Sequence, residues 1–318
     1  MGFAPNKRLK NKVVLITGGS TGLGLILAEH LIKDEPKIAI CARDEQDLFK
    51  AKNHLKALGC EVSTYVCDVA KKEQVDSMIK EVINNFGKLD IIINNAGIIQ
   101  VGPMETFNHE DYKLAMDIMY WGIVNTTFSV LPHMKARHQG QIINITSIGG
   151  LVSVPHLLPY SAAKFAAVGF SEGSAAELRK DEIYVTTIFP WLMRTGSYVN
   201  AYFQKDNKKE FKLFSLISSL PILTINADRA AKKIIIAIKE KRPRRVIGIQ
   251  AHAAIVVHNL FPNLTIRVFG LISRFIPGDW EQRPLEKGQD IIARDAEVEV
   301  PGARVFGQKA RQAHQNLQ

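Results

Sequence analysis

Seven short apolar or β-branched runs alternate with helical patterns along the chain, and this alternation restricts the possible folds more than any other feature of the sequence. The runs are Val13 to Ile16, Lys37 to Cys41, Val62 to Val66, Leu89 to Ile93, Gln141 to Thr146, Tyr184 to Phe189 and Val246 to Ile249. Between them, apolar residues recur at helical spacing over Leu23 to Ile32, Asp44 to Leu58, Lys71 to Phe86, His109 to Lys135, Tyr160 to Arg179 and Ala227 to Glu240. Parallel neighbouring strands need a crossover connection, and right-handed crossovers place helices on both faces of a sheet. The expected fold is therefore α/β: a doubly wound sandwich with a seven-stranded parallel sheet. One domain over residues 1–278 is the default reading. It is interrupted by a lid at about 191–223 and closed by two apolar helical segments within 251–276. Residues 279–318 lose all periodicity and are expected to form a charged, loosely ordered tail.

Composition removes several classes. With 46% hydrophobic and 23% charged residues among 318, the chain is neither disordered throughout nor collagenous nor a membrane bundle. Its three cysteines, Cys41, Cys60 and Cys67, make no disulfide framework or zinc cluster, which fits a reducing, cytoplasmic compartment. His252 and His258 do not share a helical face, so no metal is expected. The net charge of +10 is concentrated near Lys7 to Lys12, Lys205 to Lys212 and Lys232 to Arg245. Such clusters suit anionic cofactors, lipid headgroups, nucleic acid or plain solvent equally, and no nucleic-acid motif accompanies them. The stretch Val246 to Ile266 has no charged residue over 21 positions, but His252, His258, Asn259, Pro262 and Asn263 favour a strand followed by a helix over a spanning segment. Met1 to Lys12 has no apolar run, so a signal peptide is not expected.

The first strand runs into Thr17-Gly18-Gly19-Ser20-Thr21-Gly22-Leu23-Gly24 and then into a helix. Glycines at 18, 22 and 24 let the backbone turn tightly, approach a pyrophosphate and present helix N-terminal N–H groups to its charge. At the end of the second strand, Ala42 and Arg43 stand where an acidic residue would hold a ribose hydroxyl. Arg43 instead offers a guanidinium to a 2′-phosphate, which favours NADP(H), unless it is only a surface residue beside Asp44 and Glu45. Tyr160 and Lys164 are four residues apart on one helical face. Ser147 leaves a strand 13 residues earlier, at the same end of the sheet. A neighbouring ammonium lowers the cost of a phenolate, so Tyr160 is a candidate acid/base and Ser147 a candidate donor to a substrate oxygen.

These residues, in this order, resemble the short-chain dehydrogenase/reductase family in its compact form. The match runs from about Lys10 to Gln250 and also includes Asp68-Val69, Asn94-Asn95-Ala96-Gly97, and Pro190 with Thr195. The resemblance implies a Rossmann-like fold, a nicotinamide cofactor, and hydride exchange between an alcohol and a ketone or aldehyde. It implies Ser147, Tyr160 and Lys164 as catalytic residues, with Lys164 also on the nicotinamide ribose. Asp68 and Val69 would lie near adenine, Asn95 with Ala96 and Gly97 near the adenine-side ribose, and Thr195 near the carboxamide or phosphate. Two departures stand out: Met119 occupies a place where the family usually has an Asn in a proton relay, and Trp191 follows Pro190 in place of glycine.

The apolar and aromatic content of 191–223, with His156, Leu157 and Leu158, suits an apolar carbonyl compound or alcohol, lipid-like or steroid-like. The same residues would equally pack a lid or a subunit interface. The helical segments Ala251 to Phe261 and Leu264 to Ile276 carry Arg267 and Arg274 on one side; they suit an anionic membrane surface, the protein body or a second subunit. Small residues Ala162, Ala163, Ala166, Gly169 and Gly173 on the tyrosine helix permit the homo-oligomer that the resemblance implies. The competing function is a cofactor-binding scaffold or sensor without turnover, which Met119 keeps open.

Overall fold

A computed structural model describes residues 9–205, 207–277, 282–299, 301–307, 310 and 315. Its centre is a parallel seven-stranded sheet built from β1 (Val13–Thr17), β2 (Lys37–Ala42), β3 (Val62–Val66), β4 (Ile91–Asn94), β5 (Gly140–Ile145), β6 (Ile183–Pro190) and β7 (Arg244–Ile247). The strand order is β7-β6-β5-β4-β1-β2-β3. The register places Leu15 between Ala39 and Ile92. Chain order reverses between β1 and β4, which opens a crevice at the carboxyl ends of the strands. This is the doubly wound, Rossmann-like sandwich expected from the alternation.

Successive strand residues point to opposite faces, and the core divides accordingly. Val14 and Ile16 pack with α1 (Gly22–Leu31), α2 (Glu45–Ala57) and α7 (Ala227–Lys239). Val13 and Leu15 pack with α3 (Lys72–Phe86), the long α4 (His109–Ala136) and α5 (Leu158–Glu177). α4 contains a π-helical turn at Asp117–Trp121 that holds Met119 fully buried. α4 is long and apolar enough to cross a membrane, yet half of its most apolar stretch is buried in the core.

A buried polar chain ties the tyrosine helix to the sheet. Asn94 Nδ2 donates to Asn144 Oδ1 at 2.8 Å, Asn144 Nδ2 donates to Ser171 Oγ at 2.8 Å, and Ser171 shares a 2.7 Å bond with Thr187 Oγ1. Thr126 of α4 donates to Asn94 Oδ1 at 2.8 Å. Every link joins different elements, so the chain sets the height of α5 on the sheet.

Three expectations need adjustment. β7 starts two residues earlier than its apolar run because Arg244 and Arg245 pair with Thr187 and Ile188, backbone pairing that is blind to side-chain polarity. The 191–223 segment, read as a lid, carries regular structure that its sequence did not show: a short strand at Tyr202–Gln204 and α6 (Lys208–Ser219). The described part of the tail is ordered where it was expected loose. Leu285–Lys287 pairs antiparallel with Tyr202–Gln204, and α10 (Gly288–Arg294) sends Ile291 into a cluster with Tyr198, Phe203 and Phe211. Edge pairing and two or three well-placed apolar residues anchor a segment too irregular to show periodicity. Between these parts lie α8 (Ile249–Leu260) and α9 (Pro262–Ser273), bent by 115° at their junction.

Candidate active site

The carboxyl ends of the strands and the segments beyond β6 enclose a cleft of about 560 Å³. At one end lies the glycine turn. Gly18 and Gly22 have φ of 60° and 57°, in the left-handed region. A Cβ on Gly18 would stand 2.9 Å from Ala96 Cα, and one on Gly24 would stand 2.1 Å from the Gly18 carbonyl oxygen. The turn therefore folds back on itself and on the end of β4. Asn95 stitches it there, its Nδ2 donating to the carbonyls of Thr17 at 3.1 Å and Gly18 at 3.0 Å. Thr21 begins α1 with no side-chain cap and no acidic residue in the first turn, so the positive end of the helix faces the cleft uncompensated. A backbone cradle that excludes side chains, next to a bare helix N-terminus, fits a dinucleotide pyrophosphate.

At the centre stand the three residues singled out for chemistry. Ser147 leaves β5 in extended conformation, and its Oγ accepts from Gly149 N at 3.0 Å. The Tyr160 ring lies beside the same hydroxyl: a Cβ built on Gly149 would stand 3.1 Å from Tyr160 Cε1 and 3.5 Å from Ser147 Oγ. Burial holds the phenol above its ordinary pKa, and the Ser147 hydroxyl offsets part of that effect. Lys164, one turn along α5, is 5% exposed. Its Nζ donates to the Ile145 carbonyl at 2.9 Å and lies 5.7 Å from the Tyr160 ring centre. Burial lowers the Lys164 pKa to about 8. Met119 and Lys164 flank Gly97: a Cβ built there would lie 3.6 Å from the thioether sulfur and 3.8 Å from Nζ. The place beside the lysine is thus apolar. Asn125 is turned away from it and donates to the Val69 carbonyl at 3.0 Å.

Of the residues read from the sequence, Gly18, Thr21, Gly22, Leu23, Asn95, Ala96, Gly97, Ser147, Tyr160, Lys164, Pro190 and Thr195 all border this cleft. Ser20 and Gly24 are buried beneath the turn and do not border it. Arg43, Asp68 and Val69 follow β2 and β3, beside the cleft and outside its walls. Arg43 is exposed and forms no ion pair among the described residues, while Asp44 spends its carboxylate on the α2 N-terminus, accepting from Asp47 N at 2.8 Å. Asp68 accepts from Ala70 N at 3.1 Å in a turn.

The substrate end holds residues that no motif marked. His156, with φ of 63°, pairs through Nδ1 with the buried Glu210 carboxylate, which also accepts from Asn207 at 2.9 Å. The partners are 54 positions apart, so only the chain's return over the cleft unites them. Leu213, Phe214 and Ile217 of α6, with Ala254, Phe269 and Ile276, make the surrounding wall apolar. Gln315 reaches in from the end of the chain, donating to the Thr195 carbonyl at 3.0 Å and accepting from Asn200 at 2.7 Å.

Comparison with known proteins agrees with this arrangement. The family described as short chain dehydrogenase matches residues 12–206. The chain is 31% identical over 271 residues to a putative oxidoreductase SadH of Mycobacterium tuberculosis, covering 84% of this chain and 98% of that one. It is 30% identical to a fatty acyl-CoA reductase of Acinetobacter baylyi over 81% of this chain and 83% of the relative. A short-chain dehydrogenase from Streptomyces avermitilis superposes with a TM-score of 0.70 at 27% identity, over 83% of this chain and 97% of that one. A gluconate 5-dehydrogenase from Burkholderia cenocepacia, solved in complex with NADP and tartrate, superposes with a TM-score of 0.65 at 28% identity, over 76% and 94% of the two chains.

Proposed function

This chain belongs to the short-chain dehydrogenase/reductase family and is an oxidoreductase, and we propose that it exchanges a hydride between NADP(H) and an apolar ketone, aldehyde or secondary alcohol. The observation that carries the reading is the convergence of the Ser147 hydroxyl, the Tyr160 phenol and the Lys164 ammonium at one point of a cleft whose far wall is apolar. Ser147 orients the carbonyl oxygen by donating to it. Tyr160, held protonated by burial, gives its proton to that oxygen as the alkoxide develops. Lys164 stabilises the phenolate left behind. NADP(H), when bound, supplies or accepts the hydride. The turn from Gly18 to Gly22 would hold its pyrophosphate and Lys164 its nicotinamide ribose. Arg43, unpaired among the described residues at the end of β2, would hold its 2′-phosphate.

The proposal takes residues 1–278 as one dinucleotide-binding and catalytic unit. It places the protein in the cytoplasm, with contact to a membrane through α8 and α9. Family members commonly assemble, and the exposed Phe128 and Phe165, beside open positions at Gly169 and Gly173, support pairing through α4 and α5.

Fluorescence titration with NADPH and NADH tests the cofactor, and absorbance at 340 nm with a panel of ketones tests the chemistry. NADPH is expected to bind at least about tenfold tighter, with Arg43→Ala removing the difference. Equal affinities would overturn the NADP assignment. Tight NADPH binding without oxidation by any ketone would favour the scaffold reading, which the apolar surroundings of Lys164 at Met119 keep in view.

A further inference from the structure

We infer that α8 and α9, which form part of the cleft wall, present on their outer side a docking surface for an anionic phospholipid membrane. α8 presents Ile249, Ala253, Val256 and Leu260 at spacings of four, three and four; Ile249 is 82% and Leu260 66% exposed. α9 repeats the pattern with Leu264, Val268 and Leu271, continued by Phe275, which is 79% exposed. That spacing places each set in a single stripe. The opposite sides of the same helices, through Ala254, Phe269 and Ile276, line the cleft. Both stripes therefore point away from the active site into solvent. In the two helices together, Ala251 is the one buried residue among those described.

The charge pattern selects the partner. From Val246 to Ile276 there is no acidic residue. Arg267 and Arg274, seven positions apart, lie along one side of the α9 stripe, about 70° and 90° from its centre at about 100° per residue. Both are exposed, and neither has an acidic partner among the described residues. An apolar stripe bordered by unpaired cations fits the boundary between acyl chains and anionic headgroups. A second copy would bring the same cations to the same stripe with no carboxylate to meet them. The bend of 115° prevents the pair from crossing as one straight span and lets both helices lie on the surface. Delivery of an apolar substrate from the membrane rests on the proposed substrate class; the docking itself does not.

The experiment is flotation of the full chain with vesicles of phosphatidylcholine, alone or with phosphatidylglycerol. The protein is expected to float with the anionic vesicles about tenfold more than with the neutral ones, and to be released by high salt. Leu264→Glu with Leu271→Glu is expected to abolish flotation. Arg267→Gln with Arg274→Gln is expected to remove the preference for anionic lipid. NADPH binding and turnover of a water-soluble ketone, unchanged in these variants, show that they are folded. Wild-type protein left at the bottom with anionic vesicles overturns the inference, as does a dimer that the Glu variants convert to monomer without any vesicle effect. Flotation without turnover of any apolar ketone would leave the docking standing and sink the substrate class.

Discussion

The two ends of the central sheet handle buried charge in opposite ways. At the amino ends of β1 and β4, Asp90 is 3% exposed and saturated with partners. Val13 N donates to it at 3.0 Å, Arg137 pairs with it at 2.9 Å, and Lys88 and Lys12 stand at 3.2 and 3.7 Å. Burial would raise its pKa, but the Val13 N–H and the surrounding cations outweigh that and hold it below the carboxylate range. At the carboxyl ends, Lys164 is nearly as deeply buried, yet among the described residues its one bond is to the neutral Ile145 carbonyl, and burial lowers its pKa. The first end compensates its charge and serves stability. The second leaves charge uncompensated, at a cost to the fold, where a ligand and a phenolate would complete it.

The largest expected effect that tests this contrast is on turnover. Tyr160→Phe should lower kcat about 10³-fold at 340 nm while NADPH affinity stays within about twofold. A variant that keeps its kcat would remove the acid/base role. At the other end, Asp90→Asn leaves Arg137 and two lysines without their carboxylate and should lower urea-unfolding stability by about 3 kcal/mol, with kcat of the folded fraction unchanged. Because the folded carboxylate pKa is depressed, the Asp90 contribution is present above the unfolded value and is lost as pH falls through the folded one. The acid limb of the stability curve should therefore flatten in the variant.

For Lys164 the folded pKa is likewise depressed, but by burial of an uncompensated cation, and the window lies above neutrality. The unfolded chain keeps the proton up to about 10.5, while the folded chain releases it at about 8. Between those values the unfolded state binds more protons, so stability of the cofactor-free protein should rise by roughly 3 kcal/mol from pH 8 to 10.5. Lys164→Met should be flat over that window and more stable at pH 7, read from urea midpoints. The smallest effect is at Met119. Met119→Asn restores a polar group beside the lysine and should leave kcat unchanged or raise it about twofold; a collapse of turnover in a folded variant would show that the thioether itself is required.

Most of the sheet and its helices were legible because their signals are local. Val13 to Ile16 followed by three spaced glycines reads as strand, turn and helix from sterics alone, and Tyr160 and Lys164 share a face because a helix repeats every 3.6 residues. The substrate end was not legible in the same way. His156 and Glu210 carry no motif and meet only because α6 returns across the cleft. The strand at Leu285–Lys287 is visible only in its partner, Tyr202–Gln204. The Asn94, Asn144, Ser171 and Thr187 chain scatters four ordinary polar residues over 93 positions, with nothing local to link them.

By itself the sequence determined the class of fold, a glycine turn that fits a dinucleotide and the pairing of Tyr160 with Lys164 on one helical face, since each depends on backbone conformation or spacing within a few residues. Only the tertiary structure decided that the phenol and the ammonium are both buried, that Arg43 has no ion pair among the described residues while Asp44 caps a helix, and which sides of α8 and α9 face the cleft or solvent. Burial and pairing are set by residues far away in the chain, so no local pattern encodes them.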